Sequence, residues 1–176
     1  CHPKRIVLFD HSEYSLYKIH QEITTRLNNA DVDVKPVVGS VTDINLVSDI
    51  FTENRIDTVY HAAAYKHVPL VETNIFASVH NNVFGTLTVL RCAISNKSSH
   101  FTLISTDKAV RPTNVMGTTK RICELYAQNS NGSRTDIVAV RFGNVLGSSG
   151  SVIPKFRNQL EKGENITVTH PDITRY

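Results

Sequence analysis

The sequence predicts a doubly wound α/β domain built on a parallel sheet, and three observations point there. Short, nearly continuous runs of β-branched and other apolar residues recur along the chain, as expected of strands covered on both faces. Segments with apolar residues at helical spacing separate them. The 176 residues, 40% hydrophobic and 20% charged, suit one soluble domain with a sizeable core rather than a disordered chain.

Residues 6–9 form the first expected strand, which ends in Asp10. Leu16, Ile19, Ile23 and Leu27 then follow a helical stripe that starts near Ser12 or Glu13. Residues 32–38 form the second strand, ending in Gly39, and Ile44, Val47, Ile50 and Phe51 mark a shorter helix. The third strand, 58–60, runs into His61-Ala62-Ala63-Ala64. A long helix is expected over 71–95, burying Phe76, Val79, Val83, Leu87, Leu90 and Ile94. The fourth strand, 101–104, ends in Ser105, and the helix after it carries Met116 through Ala127. The fifth, 137–142, ends in Gly143; a helix over 152–162 and a strand over 166–169 follow. This alternation implies right-handed crossovers between parallel strands.

Composition excludes several functions. The net charge is +3, but Lys and Arg are scattered among the acids, so there is no basic stripe for nucleic acid. Cys1, Cys92 and Cys123 are odd in number and lack metal-ligand spacing, which reads as reduced thiols of a cytoplasmic protein with no metal site. No apolar run approaches the ~18 residues of a membrane span, and no signal peptide is visible.

Ligands of an open parallel sheet sit beyond the carboxyl ends of its strands, where the unusual clusters fall. Asp10 is placed to bind an adenosine ribose through its 2′-hydroxyl, and its charge would repel a 2′-phosphate, favouring NAD over NADP; it also reads as a plain helix cap. Gly39-Ser40-Val41 can lie along an adenine edge, or be an ordinary turn. Ala62, Ala63 and Ala64 let a flat cofactor approach the backbone, or merely allow tight helix–sheet packing.

Ser105-Thr106-Asp107-Lys108 sets a hydroxyl, an acid and an amine where a strand meets a loop. Such a group can hydrogen-bond an alcohol, protonate a leaving hydroxyl and remove a carbon-bound proton; the alternative is a salt-bridged surface turn. Lys108 acts as a base only if its surroundings lower its pKa. Spacing alone makes Met116 core filler and Lys120, one turn on, a solvated helix residue. Residues 141–151 open with Arg141 and continue as a Gly/Ser-rich loop, whose free amides and guanidinium suit a diphosphate. The loop lacks P-loop spacing, which disfavours ATP or GTP hydrolysis.

Together, Leu8-Phe9-Asp10-His11-Ser12-Glu13, Tyr60-His61-Ala62-Ala63-Ala64-Tyr65-Lys66-His67-Val68-Pro69, Asn81-Asn82-Val83-Phe84-Gly85-Thr86, Ile104 through Val110, residues 141–151 and residues 168–176 resemble the extended short-chain dehydrogenase/reductase superfamily. More narrowly, the chain resembles the nucleotide-sugar 4,6-dehydratases of the CapD-like polysaccharide-biosynthesis family, over essentially its whole length. The resemblance implies a Rossmann-like, partial NAD(P)-binding domain over 1–150 and the start of a substrate lobe over 151–176. It implies NAD as cofactor, a nucleotide-sugar substrate of the UDP-N-acetylglucosamine type and a redox-neutral dehydration. Hydride leaves C4, a base takes the C5 proton, the C6 hydroxyl leaves as water, and hydride returns to C6.

Carried over by residue, Thr106 hydrogen-bonds the C4 oxygen, Asp107 protonates the C6 hydroxyl and Lys108 is the C5 base. Lys120 matches the lysine that holds the nicotinamide ribose. Asp10, Ser40, Val41, Ala62, Ala63, Ala64, Asn82 and Ser105 complete the cofactor side, and Lys66, His67, Arg141, Asn144 and Arg175 face the substrate. Met116 stands where most of the superfamily has a tyrosine base. A thioether cannot take that proton, so the C4 base is left among Lys120, Asp107 and a bound water.

The superfamily's first strand and GxxGxxG turn do not precede Asp10, so the resemblance implies an internal piece of a longer enzyme. The strands ending at Asp10 and His61 would then pair abnormally, borrow a strand, or leave edges exposed, with weak or absent cofactor binding. An epimerase of the same superfamily and a non-catalytic NAD-sensing or scaffold module are the alternative functions. A homo-oligomer is expected, cytoplasmic or the cytoplasmic domain of an inner-membrane protein.

Overall fold

Among the described residues, five parallel strands carry the fold in two groups. The computed structural model describes residues 3–28, 31–130, 134–143, 145 and 152–167. β1 (Arg5–Asp10) pairs with β2 (Asp33–Val38) from Arg5↔Asp33 to Asp10↔Val38. β3 (Thr58–His61), β4 (His100–Thr106) and β5 (Asp136–Phe142) form the second group, with β4 in the middle. Among the described residues, β1 and β3 do not pair with each other, and neither pairs with a second strand of this chain. The His11 and Tyr65 rings, edge to face at 6.3 Å, bring the end of β1 against the loop after β3.

Local capping sets the helix starts. The Ser12 hydroxyl accepts the Ser15 amide at the head of α1 (Glu13–Leu27), and Asp43 accepts the Asn45 and Leu46 amides at the head of α2 (Ile44–Asn54). α2 buries Val47, Ile50 and Phe51, whereas α1 buries only Leu16 and leaves Ile19 exposed.

The long helix expected over 71–95 is broken. It comprises α3 (Val68–Thr73), α4 (Ile75–Val79), a π-helical turn (His80–Phe84) and α5 (Gly85–Ser95). Asn74, at φ −131° and ψ 52°, separates the first two pieces. The π turn then adds a residue to the helical repeat and shifts the phase of everything before it. Phe76, expected in the core, is therefore 92% exposed, while Val83 and Leu90 are buried and Val79, Leu87 and Ile94 pack at the core's edge.

Leu90 and Ala93 of α5, Phe101 and Leu103 of β4, Val47 and Phe51 of α2, and Cys123 and Ala127 of α6 (Val115–Asn129) make one core cluster. Cys92 and Cys123 are free, buried thiols, and Cys1 lies outside the described residues. Coverage on both faces does not extend to β5, where Val138, Val140 and Phe142 are exposed. α7 (Val152–Glu161) follows as expected; Ile166 and Thr167 belong to no strand, and the rest of that expected strand lies outside the described residues. Among the described residues no helix is long and apolar enough to cross a membrane, and no cluster of three metal-ligating side chains exists.

Candidate active site

The acid–base group forms at the carboxyl end of β4, where the chain enters a 3₁₀ turn (Asp107–Ala109). The Thr106 hydroxyl donates to Asp107 Oδ1 at 2.9 Å. The same oxygen accepts the Lys108 amide at 2.9 Å and Lys108 Nζ at 3.1 Å. Burial raises the Asp107 pKa, but the hydrogen bonds from Thr106 and Lys108 and the Lys108 charge outweigh it, leaving the carboxyl below its usual range. Hydroxyl, carboxylate and ammonium thus meet through one oxygen, half-exposed to whatever occupies the strand ends.

α6 presses against this turn. Asn114 caps it by accepting the Gly117 amide at 2.8 Å. A Cβ at Gly117 would stand 2.5 Å from the Lys108 carbonyl oxygen, so a glycine is required where helix and turn meet. Met116 is buried, as its spacing suggested. Lys120, which spacing alone made a solvated residue, is only 8% exposed, and its Nζ donates to the Ile104 carbonyl at 2.8 Å. Burial pushes its pKa down, and the Glu124 charge offsets part of the shift. Ile104 takes one of the ammonium's three donors.

Asn82, expected to face the cofactor, sits buried in the π turn with its amide fully engaged. Its Oδ1 accepts the Tyr65 amide at 2.7 Å and Asn81 Nδ2 at 3.1 Å, and its Nδ2 donates to the Tyr65 carbonyl at 3.0 Å and to Thr119 Oγ1 at 3.1 Å. It ties the loop after β3 to α6. Beside it lies a buried pair, His61 and Thr86, which the sequence placed in two motifs without a site role of their own. Thr86 donates its only hydroxyl proton to the Asn82 carbonyl at 2.6 Å, so at 2.9 Å it accepts from His61 Nε2, which fixes that tautomer. Burial, helped by the Lys120 charge, pushes the His61 pKa down to about 3, so the imidazole is neutral.

Glu124, one turn beyond Lys120, was also missed. Its carboxylate is 1% exposed and collects four donors: Ser105 Oγ at 2.7 Å and Arg141 Nε at 2.8 Å on Oε1, Arg141 Nη2 at 2.7 Å and Arg121 Nη1 at 3.1 Å on Oε2. The hydrogen bonds from Arg141, against the cost of burial, hold its pKa at about 2, and the carboxylate in turn raises that of Arg141. Arg141 and Ser105, expected to meet substrate and cofactor, are thus both engaged by Glu124. The signal for Glu124 was its position one turn after Lys120 on the same helix face.

On the β1–β2 side, Asp10 Oδ1 accepts the Ser12 amide at 2.7 Å, and the carboxylate stays part-exposed beside His11. Ser40 is bonded to Thr42, hydroxyl to hydroxyl at 2.8 Å, and the Val41 side chain lies in the core. Ala62 is exposed, Ala63 and Ala64 are half-buried, and Lys66 and His67 are exposed before α3. Asn144, Arg175 and residues 146–151 lie outside the described residues.

Fold and site together define a Rossmann-like α/β protein whose polar groups converge at the carboxyl ends of its strands. The chain belongs to the polysaccharide biosynthesis protein family, whose model matches residues 1–176. It is 49% identical over 176 residues to the capsular polysaccharide biosynthesis protein CapD of Staphylococcus aureus, covering 99% of this chain and 29% of that protein. It is 36% identical over 177 residues to a UDP-glucose 4-epimerase of Rickettsia bellii, covering 98% of this chain and 50% of the relative. Among solved structures it is similar to Pen from Bacillus thuringiensis, with a TM-score of 0.88 at 35% identity over 99% of this chain and 53% of that one. The chain thus spans about half or less of the length of these three proteins.

Proposed function

We propose that the chain supplies the chemistry of an NAD-dependent nucleotide-sugar 4,6-dehydratase acting on UDP-N-acetylglucosamine or a close analogue in polysaccharide biosynthesis. One observation carries this reading: Thr106, Asp107 and Lys108 are hydrogen-bonded through one oxygen beside the buried Lys120. Thr106 would hydrogen-bond the sugar's C4 oxygen. A bound sugar that excludes water makes the charged Asp107–Lys108 pair costlier, and the reading requires a proton transfer from Lys108 to Asp107. That transfer leaves a neutral amine to take the C5 proton and a neutral acid to give one to the departing C6 hydroxyl.

The residues present fit the cofactor. Asp10 Oδ1 is used by Ser12, which leaves Oδ2 for a ribose hydroxyl, and Lys120, charged or neutral, keeps at least one N–H donor beyond the one Ile104 takes. NAD, when bound, would accept the C4 hydride and return it at C6. Buried Met116 offers no base for the C4 hydroxyl, and Asp107 is held acidic, whereas burial lowers the Lys120 pKa toward that task. α7 would begin the substrate lobe.

The second reading is a nucleotide-sugar 4-epimerase, favoured by the 36% identity to a UDP-glucose 4-epimerase. Both share the C4 oxidation, but only the dehydratase loses water. Mass spectrometry and NMR of the nucleotide sugar after incubation with the intact protein and NAD separate them: loss of one water supports the dehydratase, and an unchanged mass with an inverted C4 configuration supports the epimerase.

A further inference from the structure

We propose that Glu124 is a positioning residue that sets how Arg141 meets the anionic part of the substrate. This inference rests on the nucleotide-sugar reading above. Glu124 is buried on α6, yet it reaches the ends of two neighbouring strands, Ser105 on β4 and Arg141 on β5. Ser105 directly precedes Thr106, so the same carboxylate that orients the guanidinium also anchors the strand end carrying the acid–base turn.

The geometry of the pair matters more than its charge. Arg141 is gripped side-on, through Nε at 2.8 Å and Nη2 at 2.7 Å, one to each carboxylate oxygen. A planar guanidinium has five N–H donors in a fixed fork, so this grip leaves three, two of which form the free Nη1–Nη2 edge. The Arg141 side chain is 40% exposed, which puts that free edge within reach of solvent or a ligand. A second bidentate contact, to a phosphate, fits such an edge without disturbing the first. Arg121 adds a further cation on Oε2, so the three side chains together carry one net positive charge, suited to an anion but partly neutralised in its absence.

The Glu124 carboxylate does not itself face the ligand. Its effect would pass through Arg141, and a double-mutant cycle reads that dependence. Glu124→Gln and Arg141→Met are made singly and together in the intact protein, and UDP-N-acetylglucosamine and NAD affinities are measured by calorimetry. Glu124→Gln is expected to weaken UDP-N-acetylglucosamine binding about tenfold while NAD affinity changes less than about twofold. In the Arg141→Met background the same substitution is expected to change nucleotide-sugar binding by less than about twofold.

If Glu124→Gln fails to fold, Glu124→Asp, which keeps the charge but shortens the reach, is carried through the same cycle with a smaller loss of the same sign expected. Losses that simply add, or an equal loss of NAD affinity, overturn the positioning role and leave the functional reading standing. An unmutated protein that binds NAD but not UDP-N-acetylglucosamine overturns that reading, and this role with it.

Discussion

Lys120 and Glu124 lie one helical turn apart, both buried, and the surroundings treat their charges in opposite ways. Lys120 has a backbone carbonyl as its hydrogen-bond acceptor, and burial lowers its pKa; Glu124 has four donors and stays ionised down to a pKa of about 2. A carboxylate with a lower pKa folded than unfolded contributes fully above its unfolded value, near 4.5, and loses that contribution as pH falls toward about 2. Stability measured by urea unfolding should therefore fall through this window, and Glu124→Gln should flatten part of the fall. Lys108→Ala is expected to abolish deuterium wash-in at sugar C5 during turnover in D2O; retained wash-in rules Lys108 out as the base. The Asp107–Lys108 pair was legible in the sequence because its members are adjacent. Glu124 and Arg141 are 17 residues apart on different elements, and only the fold brings them together. The burial of Lys120 was illegible for a related reason: its spacing fits an exposed face, and the approach of β4 reverses that.

Helices here act through their irregularities. The π turn places Asn82 where its one amide can hold both the loop after β3 and α6, and α6 reaches the acid–base turn only because position 117 has no Cβ. Gly117→Ala should push the Lys108 backbone away, cost about 1–3 kcal/mol in urea unfolding, and reduce turnover by more than that loss of stability explains. Unchanged stability and turnover would mean that the turn moves freely. The apolar periodicity over 71–95 revealed helix but not its breaks, because a π insertion leaves hydrophobic residues on both sides in locally correct helical spacing. Only Phe76, left outside, betrays the change of phase.

At the scale of the whole molecule, the direction and order of the five strands were readable from short apolar runs, whereas the run at 166–169 forms no strand at its described residues; the pairing was not readable, since parallel strands carry no partner label in sequence. β4 is flanked on both sides, whereas β1 and β3 each pair on one side among the described residues. Hydrogen exchange should accordingly protect β4 amides most, with faster exchange at amides on the unpaired edges of β1 and β3; equal protection across these strands would contradict the pairing described. The arrangement leaves the polar chemistry of β4, β5 and α6 at one end of the sheet, and the central claim is that this chemistry removes water from a nucleotide sugar. The most direct test incubates the intact protein with NAD and UDP-N-acetylglucosamine in D2O and follows the sugar by mass spectrometry and NMR. The expected product has lost one water and carries solvent deuterium at C5; a sugar that keeps its water, whether epimerised or unchanged, would contradict the claim.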